Sequence, residues 1–209
     1  MPFKLKLIMV VWVLLLTAIV LTPSCRGAVP AQALQHRADL TRTARAIWGL
    51  DAPVAVFAAQ IHQESGWRAD ARSPVGAQGM AQFMPATAAW ISGLYPALGA
   101  NAPYNPGWAM RALVTYDQWH YQRLRAADPC QRWAMALSAY NGGLGWVQRD
   151  QRLAASRGLD AATWFGQVER VNAGRSAAAW RENRDYPRRI LLQHQPHYVA
   201  AGWGAGVCL

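Results

Sequence analysis

Residues 51 to 67 read DAPVAVFAAQIHQESGW, a stretch that predicts a helix at the centre of the fold. The helix should begin at Pro53, because proline after a short polar turn suits the first helical position. It should end near Gly66, since glycine commonly lies just past a helix end. Between these two residues, apolar side chains recur on one helical face: Val54, Phe57 and Ile61.

Glu64 falls on this apolar face, one turn after Ile61. A carboxyl held against apolar groups near a helix C-terminus should have a raised pKa, because desolvation and the negative end of the helix dipole both disfavour its charge. A general acid that works near neutral pH needs such a carboxyl. The residues alone leave a second interpretation open, a partly buried glutamate paired with an arginine.

The rest of the chain predicts a mainly α protein, with no segment of strand period and no internal repeat. The residues Asn141-Gly142-Gly143 are a strong helix stop signal. Loops are predicted at 69–79 and 93–107, where glycine, serine and proline accumulate. Further helices are predicted at 31–48, 85–92, 108–126, 131–140, 146–157, 162–172 and 187–194.

Four short motifs occur in order along the chain. They are Gln63-Glu64-Ser65-Gly66-Trp67, the run SPVGAQGMAQFMPAT at 73–87, Ala139-Tyr140-Asn141-Gly142-Gly143, and Arg184-Asp185-Tyr186. This ordered set resembles the soluble lytic transglycosylase family, which has a goose-type lysozyme-like fold. The resemblance covers roughly residues 50–195 and implies a single catalytic domain over 28–209.

The resemblance implies a role for each matching residue. Glu64 matches the catalytic acid/base, and Ser65 matches a serine that helps to position the glutamate or the glycan. Gln82 matches a glutamine of the glycan groove. Tyr140 and Asn141 match a motif that borders the scissile bond, and Tyr186 matches a tyrosine near the glutamate. The substrate-binding residues implied in this way are Ser65, Gln82, Tyr140, Asn141 and Tyr186.

Two positions depart from the family pattern. Met80-Ala81 stands where the family usually has Leu-Met, which is expected to remove a bulky side chain from the groove wall and to alter substrate fit. The late motif reads Glu182-Asn183-Arg184-Asp185-Tyr186 instead of the usual Glu-Thr-Arg-x-Tyr. Neither change removes a group that transfers a proton.

The implied activity is cleavage of the bond between N-acetylmuramic acid and N-acetylglucosamine in peptidoglycan, with a 1,6-anhydro product and no cofactor. Two alternatives stay open. A hydrolytic muramidase on the same fold would need a second carboxylate to activate water, with Asp70 or Asp185 as candidates. A non-catalytic wall-binding component of an envelope machine would keep the groove without depending on Glu64.

The N-terminus resembles an export signal. Lys4 and Lys6 precede an apolar run over 7–21, which is shorter than the roughly 20 residues of a spanning helix. We therefore interpret 1–27 as a signal peptide, with an uncleaved anchor as the alternative. Either way the body is expected outside the cytoplasmic membrane, in the periplasm or the cell envelope.

The three cysteines fit this placement. Cys130 and Cys208 are candidates for a disulfide in an oxidising compartment. Cys25 lies where a bacterial lipoprotein would carry its lipid, but the preceding Thr22-Pro23-Ser24 is a poor lipidation signal, so loss of Cys25 with the leader is the simpler interpretation. Membrane attachment is expected only through an uncleaved leader or this lipid.

The formal net charge is +10, which suits an anionic wall polymer. Nucleic acid is not an expected partner, because the arginines are scattered and no nucleic-acid motif accompanies them. His194 and His197 are a weak candidate metal pair, and no metal site is predicted. Expected partners are peptidoglycan strands and a secretion, conjugation or phage assembly. A minority of the 11 tryptophans is expected to stack on sugars.

Overall fold

The computed structural model describes residues 29–208, and α-helices account for most of their regular structure. In chain order the helices are α1 (Ala31–Leu34), α2 (Arg37–Trp48), α3 (Val54–Ser65), α4 (Pro85–Leu94), α5 (Pro106–Gln122), α6 (Pro129–Gly142), α7 (Leu144–Ser156), α8 (Ala177–Arg188) and α9 (Gln195–Ala200). Two short 3-10 helices cover Pro96–Leu98 and Val168–Arg170, and a π-helix covers Arg189–His194. Extended pairing within 29–208 is limited to isolated bridges at Gln78. The mainly α prediction is confirmed.

Helix α3 lies in the middle of the core, where α2, α9 and the π-helix pack against it. Nine of its twelve residues are buried, so the helix is enclosed on nearly all sides rather than on one face. Gly66 ends it in the left-handed conformation (φ 61°), and its N–H bonds to the carbonyl of His62 at 2.9 Å. The predicted bounds of this helix are confirmed, and its C-terminal turn is the part that emerges from the core.

Helices α5 and α6 pack against each other, and α5 also packs against α2. Each begins at a side-chain cap: Asn105 Oδ1 accepts from the Trp108 N–H at 2.9 Å, and Asp128 Oδ1 accepts from the Gln131 N–H at 2.9 Å. Residues 123–126, predicted as the end of α5, instead turn the chain towards Asp128. Helix α6 therefore starts earlier than the predicted residue 131.

The segment 162–172 consists of turns and the short 3-10 helix Val168–Arg170, so the helix predicted over this whole range is wrong. Three consecutive backbone N–H groups at its start bond to side chains, whereas later ones bond to preceding carbonyls of the segment. Gln131 Oε1 accepts from Trp164 and Phe165 at 2.9 and 3.0 Å, and Glu169 Oε1 accepts from Gly166 at 2.7 Å. These bonds replace the helical pattern locally.

A continuous helical run begins at Ala177, ten residues before the predicted start at 187. The Ser176 hydroxyl caps it by accepting from the Ala179 N–H at 3.3 Å. Pro187 and Pro196 each lack a backbone donor, so the regular bonding pattern is interrupted, and the π-helix lies between them. This run carries one wall of the candidate site on α8.

A disulfide joins Cys130, at the start of α6, to Cys208, with a Cα–Cα distance of 4.8 Å. It closes a loop of 78 residues. Residues 1–28, and with them the proposed leader and Cys25, lie outside the described residues. No helix within 29–208 is both long and apolar enough to cross a membrane.

Candidate active site

A cavity of about 560 Å³ opens at the C-terminal end of α3. Its volume lies in the range of sites that hold small ligands or short stretches of polymer. The walls come from the ends of α3 and α6, one face of α8 and the loop between α3 and α4. Five of the six predicted site residues line it: Glu64, Gln82, Tyr140, Asn141 and Tyr186.

Glu64 is partly buried in the last turn of α3 and reaches the cavity. Desolvation raises the pKa of its carboxyl to about 8; a hydrogen bond from Tyr186 works in the opposite direction, and the nearby charge of Glu182 adds to the rise. None of the ion pairs found among residues 29–208 includes Glu64. The arginine-paired alternative is therefore wrong, and Glu64 has a phenol as its partner.

The partner is Tyr186 of α8, whose hydroxyl donates to Oε1 of Glu64. Burial raises the pKa of Tyr186 well above its usual value, and the negative charge of Glu64 adds to this rise. Tyr186 thus stays a neutral donor over the whole working range of a protein. Because this hydrogen bond stabilises the ionised carboxylate, it limits the rise in the pKa of Glu64. Both protonation states of the carboxyl are therefore accessible near neutral pH.

Tyr140, near the end of α6, lines the same cavity as Glu64. Its hydroxyl donates to the carbonyl of Ala81 at 2.7 Å, and burial raises its pKa well above the usual value. This bond ties α6 to the α3–α4 loop. Tyr140 is half-buried and lines the cavity, so it serves both as part of the wall and as a brace for the loop.

Gln82 lies in that loop with a left-handed backbone (φ 48°). Its side-chain amide donates to the carbonyls of Gly79 at 2.7 Å and Ala71 at 3.3 Å. Gly79 also has positive φ (70°), and a Cβ placed on it would lie 1.7 Å from the carbonyl oxygen of Pro103. The loop therefore needs glycine at 79 and is held in shape by the Gln82 amide.

Ser65 does not reach the cavity. It is buried, donates its hydroxyl hydrogen to the carbonyl of Met80 at 2.9 Å, and accepts from the Arg68 N–H at 3.1 Å. A direct contact with glycan is not supported by this placement, whereas a positioning role fits, because Ser65 anchors the loop next to Glu64. Met80 and Ala81 are also fully buried. The expectation that their exchange changes the groove wall is wrong, since both side chains point into the core.

Asn141 follows Tyr140 and faces α8. Its Oδ1 accepts from Asn183 at 3.0 Å, and its Nδ2 lies 3.4 Å from Oε1 of Glu182. Asn183 is buried and also bonds to Ser138 through both its oxygen and its nitrogen, each at 2.8 Å. The polar end of α6 is thus fixed to α8 by an amide network behind the cavity wall.

Several cavity residues were not predicted, notably Glu182 and Arg189, which flank Tyr186 on the same helical run. The spacing 182, 185, 186 and 189 places them on one helical face, which is the signal that would have found them. Asp185 lines the cavity, whereas Asp70 is exposed and does not. Arg184 of the same helical run points away from the cavity: it is buried and pairs with Asp150 at 2.8 Å.

None of the tryptophans within 29–208 lines this cavity. Half of these ten tryptophans are buried in the core: Trp67, Trp108, Trp133, Trp164 and Trp203. His194 stacks on His62 with ring centroids 4.3 Å apart. The described part of the chain holds no group of three or more His, Cys, Asp or Glu side chains suited to a metal ion.

The model of the transglycosylase SLT domain matches residues 42–162, more than half of the chain. The chain belongs to the SLT transglycosylase domain family. This match spans Glu64, the α3–α4 loop and Tyr140, while the SLT match ends before Tyr186. The family resemblance drawn from the four motifs is confirmed.

The chain is also similar to curated membrane-bound lytic murein transglycosylases. Membrane-bound lytic murein transglycosylase F of Shewanella frigidimarina is 34% identical over 109 residues, which are 52% of this chain and 21% of that protein. Membrane-bound lytic murein transglycosylase F 2 of Alkalilimnicola ehrlichii is 32% identical over 115 residues, 54% of this chain and 24% of that protein. The chain thus spans about a fifth to a quarter of the length of these relatives.

Solved structures agree on the SLT fold. The 70-kDa soluble lytic transglycosylase in complex with bulgecin A matches with a TM-score of 0.59 and 23% identity, over 82% of this chain and 25% of that one. An inactive mutant of lytic transglycosylase Slt from Pseudomonas aeruginosa matches with a TM-score of 0.58 and 23% identity, over 83% and 25%. At this identity the likeness establishes the fold, and the lysozyme-like prediction is confirmed.

Proposed function

We propose that the protein is a peptidoglycan lytic transglycosylase that cleaves the β-1,4 bond between N-acetylmuramic acid and N-acetylglucosamine. Membership of the SLT domain family supports this activity, as do relatives named lytic murein transglycosylases. The single observation that carries the proposal is the state of Glu64. Its carboxyl faces an open cavity, is desolvated enough to have a pKa of about 8, and is bonded to a neutral phenol instead of a cation.

A carboxyl in this state can act first as an acid. At neutral pH the protonated form of Glu64 predominates, so its proton is available for the oxygen of the glycosidic bond. As that bond breaks, the leaving N-acetylglucosamine keeps the proton as its 4-hydroxyl. The positive charge that develops on the muramic anomeric carbon is stabilised by the substrate's own 2-acetamido group, so the protein needs no nucleophile.

The same carboxyl then acts as a base. The C6 hydroxyl of the muramic acid attacks the anomeric carbon, and its proton passes to the Glu64 carboxylate. This step closes the 1,6-anhydro ring, consumes no water and returns Glu64 to the acid form. Between the two steps the Tyr186 hydroxyl supplies a hydrogen bond to the ionised carboxylate. In this scheme Gln82, Tyr140 and Asn141 shape the groove, and Ser65 positions Glu64 through the loop.

A hydrolytic muramidase is the second candidate, because Asp185 and Glu182 line the same cavity as Glu64. Either could activate a water molecule, as inverting glycosidases require. Asp70 is not a candidate, since it lies outside the cavity. A purely wall-binding role is disfavoured, because holding a carboxyl in a desolvated place costs free energy and serves binding poorly.

The test is mass spectrometry of purified peptidoglycan after digestion, with the Glu64→Gln variant as control. Anhydromuropeptides from the wild-type protein and none from Glu64→Gln are the expected result. Reducing muramic ends would overturn the transglycosylase proposal in favour of the muramidase. If wild-type protein that circular dichroism shows to be folded releases nothing, the wall-binding alternative is supported.

The setting follows from the same proposal. An enzyme for this substrate acts outside the cytoplasmic membrane, which agrees with an export signal at 1–27, a catalytic domain at 28–209 and a disulfide. Periplasmic or envelope placement is therefore proposed, with anchoring through the leader or Cys25 as the route to the membrane. Envelope assemblies that open the wall for secretion, conjugation or phage passage are the proposed users of the activity.

A further inference from the structure

A second cavity, of about 300 Å³, adjoins the first and has no part in the proposed reaction. Asn141 and Glu182 line both cavities, so a polymer lying in the first can extend into the second. The remaining wall is formed by the first turn of α8, the end of α6 and residues of α7 and the loop before α8. Among the residues that line it are Trp146, Arg175, Ser176 and Ala179.

Arg175 is the distinctive group of this cavity. Its side chain is only 4% exposed, and its Nη1 donates to Oδ2 of Asp150. Its Nε and Nη2 have no hydrogen-bond partner among the described residues. A desolvated guanidinium with idle donors is costly, because each buried donor lacks the bond that water would give it. An acceptor oxygen brought into the cavity would remove this cost.

The buried charges behind the cavity wall leave positive charge on Arg175 that is not fully neutralised. Asp150 is fully buried and is shared between Arg175 and Arg184. Each nitrogen of the Arg184 guanidinium donates elsewhere: Nε to the carbonyl of Glu169, Nη1 to Asn183, and Nη2 to Asp150 and the carbonyl of Val171. Two cations therefore share one carboxylate, and the donors that remain free belong to the arginine that lines the cavity.

The N-terminus of α8 lies at this cavity and also favours an anion there. Helix α8 has twelve residues, and its N-cap Ser176 and the first-turn residue Ala179 line the wall. The N-terminus of a helix carries partial positive charge and favours anions. The Trp146 ring holds Arg175 in place, with the guanidinium carbon 5.1 Å from the ring centroid. Glu182 puts a negative charge at the boundary with the first cavity, so an anionic group is favoured at the Arg175 end.

We propose that the second cavity binds a carboxylate of the glycan substrate while the neighbouring sugars occupy the first cavity. Two carboxylates of peptidoglycan meet this description: the lactyl carboxylate of a peptide-free muramic acid and a free carboxylate of a stem peptide. Since the ligand is part of the substrate proposed for Glu64, this inference rests on the proposed function. It goes beyond that function by selecting which chemical form of the strand binds best.

The test places a competing carboxylate in the cavity without disturbing Arg175. Ala179 is an exposed residue of the first turn of α8 and lines the same cavity as Arg175, so Ala179→Glu adds a competing carboxylate to the cavity wall. Ala178→Glu is the matched control, because Ala178 is also exposed in the first turn but does not line the cavity. Both changes add one negative charge at a position that suits it in a helix.

Binding is measured by calorimetry in a Glu64→Gln background, so that no strand is cleaved. Three tetrasaccharides are compared: peptide-free with lactyl carboxylates, peptide-free with methylamides in their place, and peptide-bearing. With Ala178→Glu we expect a carboxylate-bearing form to bind about 10-fold or more tightly than the methylamide, as a charge-assisted bond allows. Ala179→Glu should abolish this preference, and the form whose affinity falls identifies the source of the carboxylate.

Equal dissociation constants of the two variants for all three ligands would overturn the proposal. The proposal would also be overturned if Ala179→Glu lowered the affinity for the methylamide ligand as much as for the carboxylate-bearing ligands. The site would then bind a neutral group equally well. This comparison does not depend on cleavage. If wild-type protein fails to produce anhydromuropeptides but Ala179→Glu alone loses the carboxylate preference, the proposed reaction fails and the binding site stands.

Discussion

The hydroxyl of Tyr186 donates a hydrogen bond to the carboxyl of Glu64 across 122 residues of sequence, joining α8 to the end of α3. Burial pushes the pKa of Glu64 up, and this bond pulls it down. The balance leaves a pKa of about 8, where one carboxyl can give up a proton and take it back within a single reaction cycle. The two residues act as one unit, and the first prediction separates them.

Replacing Tyr186 with phenylalanine should move the alkaline limb of kcat/KM to higher pH. Protonated Glu64 is the active acid, so kcat/KM of the wild-type protein should fall as pH rises through about 8. Without the phenol the ionised carboxylate loses its donor and the pKa of Glu64 rises further. The maximum rate should also fall by roughly 10- to 100-fold, as expected for loss of a hydrogen bond to a charged group.

Tyr140→Phe is the control for this measurement. Tyr140 lines the same cavity, but its hydroxyl donates to the Ala81 carbonyl and not to Glu64. Its pH profile should keep the wild-type alkaline limb, whatever happens to the rate. An equal shift in both variants would show that the cavity as a whole, and not the Tyr186 bond, governs the titration.

Stability should fall with rising pH because of Glu64. Its pKa is raised from 4.5 to about 8 on folding, so the folded state holds a proton that the unfolded state has lost between these values. The associated stabilisation is fully present below about pH 4.5 and is lost as pH rises through about 8. Glu64→Gln imitates the protonated form. Its gain in unfolding free energy over wild type should therefore be small at low pH and reach a few kcal/mol above pH 8.

Urea unfolding at several pH values measures this difference. Asp70→Asn serves as the control, because Asp70 is an exposed carboxylate outside the cavity. Its unfolding free energy relative to wild type should change little with pH. A Glu64→Gln difference that stays constant from pH 4 to pH 9 would contradict a desolvated Glu64.

Gly79→Ala should be strongly destabilising, whereas Gly76→Ala should not. Both glycines have positive φ, 70° and 91°, so each alanine carries a similar backbone cost of roughly 1–2 kcal/mol. At Gly79 the new Cβ would also meet the Pro103 carbonyl oxygen at 1.7 Å, while at Gly76 nothing lies within 4 Å. Denaturant midpoints of the two variants give the comparison directly. Similar midpoints would mean that the loop at Gly79 moves away from Pro103 freely.

Ser65→Ala should lower stability without weakening glycan binding. The change leaves the Met80 carbonyl without its donor, which costs about 1–3 kcal/mol, or several degrees in Tm for a domain of this size. The KM for glycan strands should stay within about twofold, because Ser65 does not line the cavity. A KM raised tenfold in folded protein would restore the direct glycan contact that the motif alone suggested.

The sequence predicted features set by local chemistry. The bounds of α3 followed from Pro53 and Gly66, and Glu64 followed from its place on that helix. Features set by distant partners were missed. The buried ion pair of Arg184 with Asp150 is an example, because the two residues lie 34 positions apart and no local pattern marks them as partners.

The orientation of the α3–α4 loop could not be predicted from the sequence either. Ala81 was expected in the groove wall, yet its side chain is buried in the core directly before the left-handed backbone of Gln82. Motif matching named Gln82 and Tyr140, but the bonds by which they brace the loop became visible only in three dimensions. Glu182 was not predicted as a site residue. Its helix carries many charged residues, and no apolar stripe distinguished Glu182 from the others.

The disulfide between Cys130 and Cys208 makes the strength of the fold depend on where the chain is. Closing a loop of 78 residues is worth about 4 kcal/mol by chain entropy, and thiol-reducing surroundings remove that contribution. A newly made chain in reducing surroundings would therefore be easier to unfold. A chain that is exported as proposed would gain the full stability of the cross-linked fold only after export, next to the wall polymer that it is proposed to cut.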